Sequence, residues 1–314
     1  MQKKIIIIVT VGLFLLAINF VFVFNYPDKP TPPVAVSKSK DSFFSNTQAY
    51  VLPLVETSYI PIYNSNSPRP QIDAKSALVY DYRSARLLYS KDPNIKLPIA
   101  SLTKVMTAVI TLENLNLGDV ATIDKSAVKV DGTKQDLYLG EQITVENLLK
   151  LMLIESSNDA ANALSDFGVT KGVDFLAKMN EKIASLGMMN SRFLDPAGLD
   201  DDAYSTAEDL ARLVKYSLKD GLIWNLLLEK DIVIKSVDGK FNHEIKNTNT
   251  LLSTMPDIIG GKTGYTDNAL GCMILIVDVP GKNDRLISIV LGSKDRFGDT
   301  QKLIEWTRSS YRWD

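Results

Sequence analysis

The spacing of apolar positions changes character twice along the chain. An apolar run from Ile5 to Phe24, broken only by Thr10, Gly12 and Asn19, follows Lys3 and Lys4. About 20 residues at 1.5 Å each span a bilayer core, so the run reads as a transmembrane helix. Asn25, Tyr26 and Pro27 come next, with no small-x-small pair and no Cys, so an uncleaved anchor is expected over residues 1–24. A cleaved signal would export the same domain. The two lysines orient the segment with its N-terminus in the cytoplasm, and the expected localisation is a single-pass cell-membrane protein with its main domain extracytoplasmic. Residues 25–75 then hold eight of the 13 prolines and no glycine. Proline without glycine makes a semi-rigid spacer, reaching at most roughly 150 Å at about 3.1 Å per residue. The stretch from Tyr50 to Tyr63 is apolar enough that part of it could pack on the following domain.

From Ser76 to Asp314 short strand patterns alternate with amphipathic helices. Ala77 to Arg83 and Arg86 to Ser90 form a predicted hairpin turning at Ser84 and Ala85. Val105, Val109 and Leu112 repeat at helical spacing in a helix expected over 101–113, with Pro98 and Ser101 as start signals. Further helices are predicted over 145–154, 159–167, 173–186, 206–219 and 300–311. Strands are predicted over 232–236, 241–246, 272–279 and 285–291. Early strands, central helices and late strands make an α+β domain whose sheet joins both chain ends.

Composition narrows the chemistry. The 314 residues carry 35 Lys and Arg against 37 Asp and Glu, so the counterion-release term of a nucleic-acid binder is missing. One Cys and one His leave no intramolecular disulfide and no imidazole or thiolate metal site; no cofactor is expected.

Three polar motifs remain. Ser101-Leu102-Thr103-Lys104 puts a hydroxyl and an amine on one helical face, and a neutral lysine can serve as the base for a serine nucleophile. Taken alone, it also describes an N-cap serine beside a solvated lysine. Ser156-Ser157-Asn158 follows the helix 145–154, and by itself would be a turn capping the next helix. Gly260-Gly261-Lys262-Thr263-Gly264-Tyr265-Thr266 precedes the apolar strand at Cys272; it lacks phosphate-loop spacing and by itself would be a glycine-rich hairpin. Tyr138 and Trp224 read as packing residues, Tyr265 as a groove-lining side chain and His243 as a surface residue.

In order and separation these motifs resemble the S-x-x-K, S-x-N and K-T-G signature of the serine-type D-alanyl-D-alanine carboxypeptidase family, the low-molecular-mass penicillin-binding proteins. The likeness covers roughly residues 76–312 and extends to Leu97-Pro98-Ile99-Ala100, Phe193-Leu194-Asp195-Pro196-Ala197-Gly198-Leu199 and Tyr204-Ser205-Thr206-Ala207-Glu208-Asp209-Leu210-Ala211. Two departures stand out. Many members carry a C-terminal β-rich domain and an amphipathic helix, whereas this sequence reaches Asp314 just after its closing helix, so the N-terminal run is expected to replace that anchor. Some relatives also place a basic residue where Asn247-Thr248-Asn249 stands, which removes one contributor to carboxylate binding.

The resemblance implies a β-lactamase/transpeptidase-like domain, an antiparallel sheet flanked by helices, that hydrolyses the D-Ala-D-Ala bond or D-Ala crosslinks of peptidoglycan stem peptides. It implies Ser101 as nucleophile, Lys104 as base and Ser156 as proton relay. Asn158, Lys262, Thr263, Gly264 and Tyr265 would bind substrate, with the backbone N–H groups of Ser101 and Tyr265 forming an oxyanion hole. β-Lactams would be covalent inhibitors. A serine β-lactamase of the same fold and a non-catalytic penicillin- or wall-binding module are the competing readings. Against the first, no E-x-x-x-N stands between the second and third motifs: Glu181, Glu208, Glu229 and Glu244 are followed four residues later by Ser185, Arg212, Val233 and Thr248.

Overall fold

The computed structural model describes residues 60–64, 68–129 and 137–313; the expected anchor lies outside them. Its centre is a five-stranded antiparallel sheet in the order β3-β2-β10-β9-β8. The early hairpin supplies β2 (Ser76–Asp81) and β3 (Leu87–Lys91), and the late strands supply β8 (Ile258–Thr266), β9 (Leu270–Val279) and β10 (Asp284–Ser293). Because β2 pairs with β10, the sheet joins both ends of the domain, as the order of predicted elements requires.

Alternation along the central strands sorts their side chains onto two cores. Leu78, Ile274, Ile276, Ile287 and Ile289 face a large helical layer. Ala77, Val79, Met273, Leu275, Val277, Leu286 and Val290 face the other way, with Leu303, Ile304 and Trp306. A sheet covered on both faces favours apolar residues at successive positions, which is why β9 and, apart from Ser288, β10 read as nearly continuous apolar runs.

The helical layer comprises α1 (Thr103–Asn114), α2 (Val145–Lys150), α3 (Asn158–Thr170), α4 (Phe175–Leu186), α5 (Ala207–Ser217) and α6 (Leu222–Leu226). The opposite face is covered by α7 (Arg296–Ser310). Thr144, Ser157, Asp174, Thr206 and Asp295 each accept an N-capping hydrogen bond, so most helix starts follow ordinary capping chemistry. Two small ribbons complete the fold, β4 (Val120–Thr122) with β5 (Gln142–Thr144) and β6 (Asp231–Lys235) with β7 (Asn242–Lys246). Within the segment expected to be spacer, β1 (Pro61–Tyr63) pairs antiparallel with β11 (Tyr311–Trp313).

Two expectations differ from the structure. The helix predicted over 145–154 ends as an α-helix at Lys150 and continues as a π-helical turn, Leu151–Glu155. The wider turn keeps Leu151, Met152, Leu153 and Ile154 buried while delivering Ser156 in a left-handed conformation (φ 69°). His243 is not a surface residue. It is buried, with Nε2 2.6 Å from Glu141 Oε1. That carboxylate lies 102 residues away in sequence, so flanking residues gave no hint of it.

At the end of β2, Asp81 accepts from Trp313 Nε1 (2.8 Å) and Ser84 N (2.9 Å), and Asp284 sits beside it on β10, accepting from Arg83 N and Arg285 N. Burial, and then the neighbouring Asp81, push the Asp284 carboxyl up to about 6. A raised carboxyl means the native state keeps a proton that the unfolded chain releases, so stability is lost as pH climbs from about 4 to about 6. Asp284→Asn keeps the shape and removes the charge. It should stabilise the protein by about 1–2 kcal/mol at pH 8 after allowing for solvent screening, with the gain fading below about pH 4. Thermal melts of both proteins across that range check the sign.

Candidate active site

The segment carrying Ser101 is a 3-10 turn, Ala100–Leu102, that leads into α1 without any side-chain cap at either start. Ser101 therefore does not serve as an N-cap. Its Oγ lies 2.8 Å from Lys104 Nζ instead. Ala100 holds φ 48°, a conformation that L side chains adopt at a cost, and two glycines press on it from different elements. A Cβ on Gly264 of β8 would stand 2.9 Å from Ile99 O and 3.2 Å from Ser101 N. One on Gly198 would stand 2.0 Å from Ala100 O. Only glycine lets β8 and the 195–200 loop come this close to the Ser101 turn.

Lys104 is completely buried. Besides Ser101, its amine reaches Asn158 Oδ1 at 2.6 Å and Ala197 O at 2.8 Å. Neither oxygen can donate, so each takes an N–H of Lys104. A neutral amine has two such hydrogens and one lone pair. The same nitrogen stands within hydrogen-bond reach of Ser101 Oγ, a proximity that would let it act as a base towards that hydroxyl when neutral.

Lys262, also fully buried, donates to Ser156 Oγ at 2.7 Å and Thr263 O at 3.0 Å. Its amine is held well below the ordinary lysine range, chiefly by burial and then by Lys104 and Arg296. The repulsion is reciprocal, so charge on one of the two lysines opposes charge on the other. Thr263 Oγ1 meets Thr248 Oγ1 at 2.5 Å, and Thr248 N donates to Ile154 O, which ties β8 to the π-helical turn before Ser156.

The structure thus gathers Ser101, Lys104, Ser156, Asn158, Lys262, Thr263 and Gly264 where α1, the start of α3 and β8 meet. Tyr265 is different: its side chain is exposed, with its hydroxyl donating to Asp267 Oδ1. Trp224 is buried core, and Tyr138 is exposed and stacked on Phe241.

Sequence reasoning missed Arg296. At the start of α7, its guanidinium is half-buried, Nε has no hydrogen-bond partner, and it acts electrostatically on Lys262 and is acted on by Tyr265. Burial lowers its own basicity. A Cβ on Gly271 would stand 3.0 Å from Arg296 Cβ, so the bare strand start makes room for the arginine. In sequence it is one of two basic residues in Lys294-Asp295-Arg296, and no spacing rule marks it. It supplies a cation near the K-T-G strand where Asn247-Thr248-Asn249 supply none.

Comparison with known proteins gives a consistent result. The D-alanyl-D-alanine carboxypeptidase family matches over residues 63–295. The chain is similar to D-alanyl-D-alanine carboxypeptidase DacF of Bacillus subtilis, 34% identical over 249 residues, which are 76% of this chain and 63% of that one. A D-alanyl-D-alanine endopeptidase of Pseudomonas aeruginosa is 32% identical over 242 residues, covering 75% of this chain and 77% of its own. The match therefore spans less than two thirds of the Bacillus protein. Among solved structures, a Streptomyces DD-transpeptidase superposes with TM-score 0.71 at 30% identity, covering 77% of this chain and 99% of its own.

The depressed Lys262 amine carries a pH prediction. An anion entering beside Lys262 and Arg296 favours the protonated amine, so binding takes up a proton and weakens as pH rises. Titration calorimetry of a small carboxylate in two buffers of different ionisation enthalpy should show uptake. Lys262→Met should abolish it and weaken binding by about 10-fold or more. Proton release on binding would contradict this electrostatic account.

Proposed function

This chain belongs to the D-alanyl-D-alanine carboxypeptidase family, and from that premise we propose that it is a serine DD-peptidase of peptidoglycan, cutting the bond between two D-alanines through an acyl-enzyme on Ser101. The observation that carries the reading is the Lys104 amine, buried and committed to two acceptors so that it faces Ser101 Oγ at 2.8 Å.

As the free amine, Lys104 takes the Ser101 proton while Oγ bonds to the substrate carbonyl carbon. The resulting oxyanion is held by the backbone N–H groups of Ser101 and Tyr265, each worth about 3 kcal/mol. The close approach of Gly264 to Ser101 N supports that pairing. The C–N bond then breaks. Ser156, whose oxygen already accepts from Lys262, has its own O–H free to protonate the leaving nitrogen, and the proton held by Lys104 restores that hydroxyl. Water next attacks the ester, returning a proton to Ser101. Lys262, Thr263 and Arg296 bind the terminal carboxylate, and Asn158 contacts the substrate amide while orienting Lys104.

The substrate is a stem peptide ending in D-Ala-D-Ala or a D-Ala crosslink, reached from the outer face of the cell membrane. The apolar run Ile5 to Phe24 and the proline-rich segment after it support anchoring at that face. If so, the full-length protein should resist extraction by high salt and alkaline carbonate and keep its own N-terminus. A mature protein beginning beyond Phe24 would replace the anchor with a cleaved signal.

Penicillin separates this reading from a β-lactamase. Without a glutamate-held water, the opened β-lactam, whose leaving group stays attached, blocks the route of the deacylating water. Intact mass spectrometry should detect a penicilloyl adduct for minutes or longer, and Ser101→Ala should remain folded yet lose both the adduct and D-alanine release, since removing one partly buried hydroxyl and its hydrogen bond costs about 1–3 kcal/mol. Rapid multi-turnover penicillin hydrolysis without action on the peptide would favour the β-lactamase. Covalent labelling of a folded Ser101→Ala protein would remove Ser101 as nucleophile.

A further inference from the structure

The loop between α4 and α5 supplies a backbone acceptor that orients Lys104. That acceptor is the carbonyl of Ala197. What fixes it is Asp195. Its Oδ1 accepts from Ala197 N at 2.7 Å and Gly198 N at 2.5 Å, and its Oδ2 from Leu199 N at 3.0 Å and Asp200 N at 2.8 Å. One carboxylate thus gathers four consecutive backbone donors.

Two of those donors belong to the peptide groups whose oxygens face the catalytic helix. The Gly198 N–H and the Ala197 carbonyl are opposite ends of one planar trans peptide, so holding the first aims the second at Lys104. Likewise the Ala197 N–H and the Pro196 carbonyl share a peptide, and Pro196 O accepts from Thr107 Oγ1 at 2.6 Å, one helical turn beyond Lys104. The carboxylate also polarises both peptides, which strengthens the carbonyls as acceptors. Gly198, at φ 81° and with no room for a Cβ against Ala100 O, locks the far side of the turn.

We propose that Asp195 is a positioning residue for the acylation step, acting through the Ala197–Gly198 peptide to point the Lys104 lone pair at Ser101. This inference rests on the DD-peptidase reading of the same site. Asp195 itself does not touch the reacting atoms. Its carboxylate also adds negative charge near the Lys104 amine, so its loss makes protonation of that amine less favourable.

The test measures the rate constant of penicillin acylation against pH in the full chain. Asp195→Ala should lower the plateau by about 10- to 100-fold, the scale on which small misplacements act, and move the acidic limb to lower pH. Asp195→Asn keeps an oxygen for the Ala197 and Gly198 amides but loses the charge. It should restore most of the plateau while keeping the displaced limb. Amide exchange at Ala197 and Gly198 reads the turn without the chemistry, and should be about tenfold faster or more in Asp195→Ala than in the parent or Asp195→Asn. Wild-type plateau and limb in a folded Asp195→Ala protein overturn the proposal. So do equal plateau losses in both variants with an unmoved limb, because that pattern reflects general support of the fold. Should the alanine variant not fold, the limb and the two exchange rates of Asp195→Asn decide alone, an unmoved limb counting against the proposal. If the parent protein takes no penicillin, the DD-peptidase reading fails, and unchanged amide exchange in a folded Asp195→Ala protein sinks the role of Asp195 separately.

Discussion

Two fully buried lysines side by side set the terms for the rest of this structure. Burying an ammonium costs several kcal/mol unless its hydrogens are matched by acceptors, and two of them repel as well. The fold answers with oxygens drawn from distant parts of the chain: the Ser101 turn, the first residue of α3, the loop carrying Ala197, and the π-helical turn ending at Ser156. Each of these oxygens can face a lysine only if its element ends at the right place. The unusual local conformations, φ 48° at Ala100 and φ 69° at Ser156, occur where those elements end. These are two of the six non-glycine residues with positive φ among the described residues, and they flank the two lysines.

The sheet makes this arrangement rigid. β8 is an edge strand, so one side of it pairs with β9 and the other side is left for the site. Its glycines have specific steric tasks rather than general flexibility. Gly260 and Gly261 leave space against Trp224 and Asn249, and Gly264 lets the strand lie on the Ser101 turn. An alanine at Gly264 would drive the strand away from Ser101 N, separating Lys262 from Ser156 and loosening the Lys104 cluster together. The K-T-G segment had a plain reading as a glycine-rich hairpin; within the fold its glycines sit inside a long strand because a neighbour occupies the space of the missing side chain.

Much of this was legible in the sequence because it depends on local rules. Alternation and apolar runs placed β2, β3, β6, β7, β9 and β10, helical spacing placed α1, and Ser157 caps α3 as its position suggested. The three polar motifs were readable as a set because their chemistry resides in side chains. What escaped notice has a different physical character. Ala197 contributes a carbonyl that every residue type possesses, so no letter marks it. Arg296 acts through a position set by α7 rather than by any spacing to Lys262. His243 is buried by a partner 102 residues away, and the π-helical turn arises from tertiary demand at the end of an otherwise regular apolar helix.

The ribbon of β1 and β11 gives the domain a mechanical property. Pro61 pairs with Trp313 and Tyr63 with Tyr311, so the first and last described strands of the domain run antiparallel side by side. Tension applied from the N-terminal side reaches Pro61 first, at the outer end of this short ladder. A load applied across the strands opens such a three-pair ladder from its Pro61–Trp313 end. Behind it, Trp313 is held by Asp81 and Tyr311 by the carbonyl of Leu88, on the sheet side remote from the helical layer that carries Ser101 and Lys104. A pull from the N-terminal side therefore loads this ladder and its Asp81 and Leu88 anchors, on the face of the sheet away from the Ser101 turn.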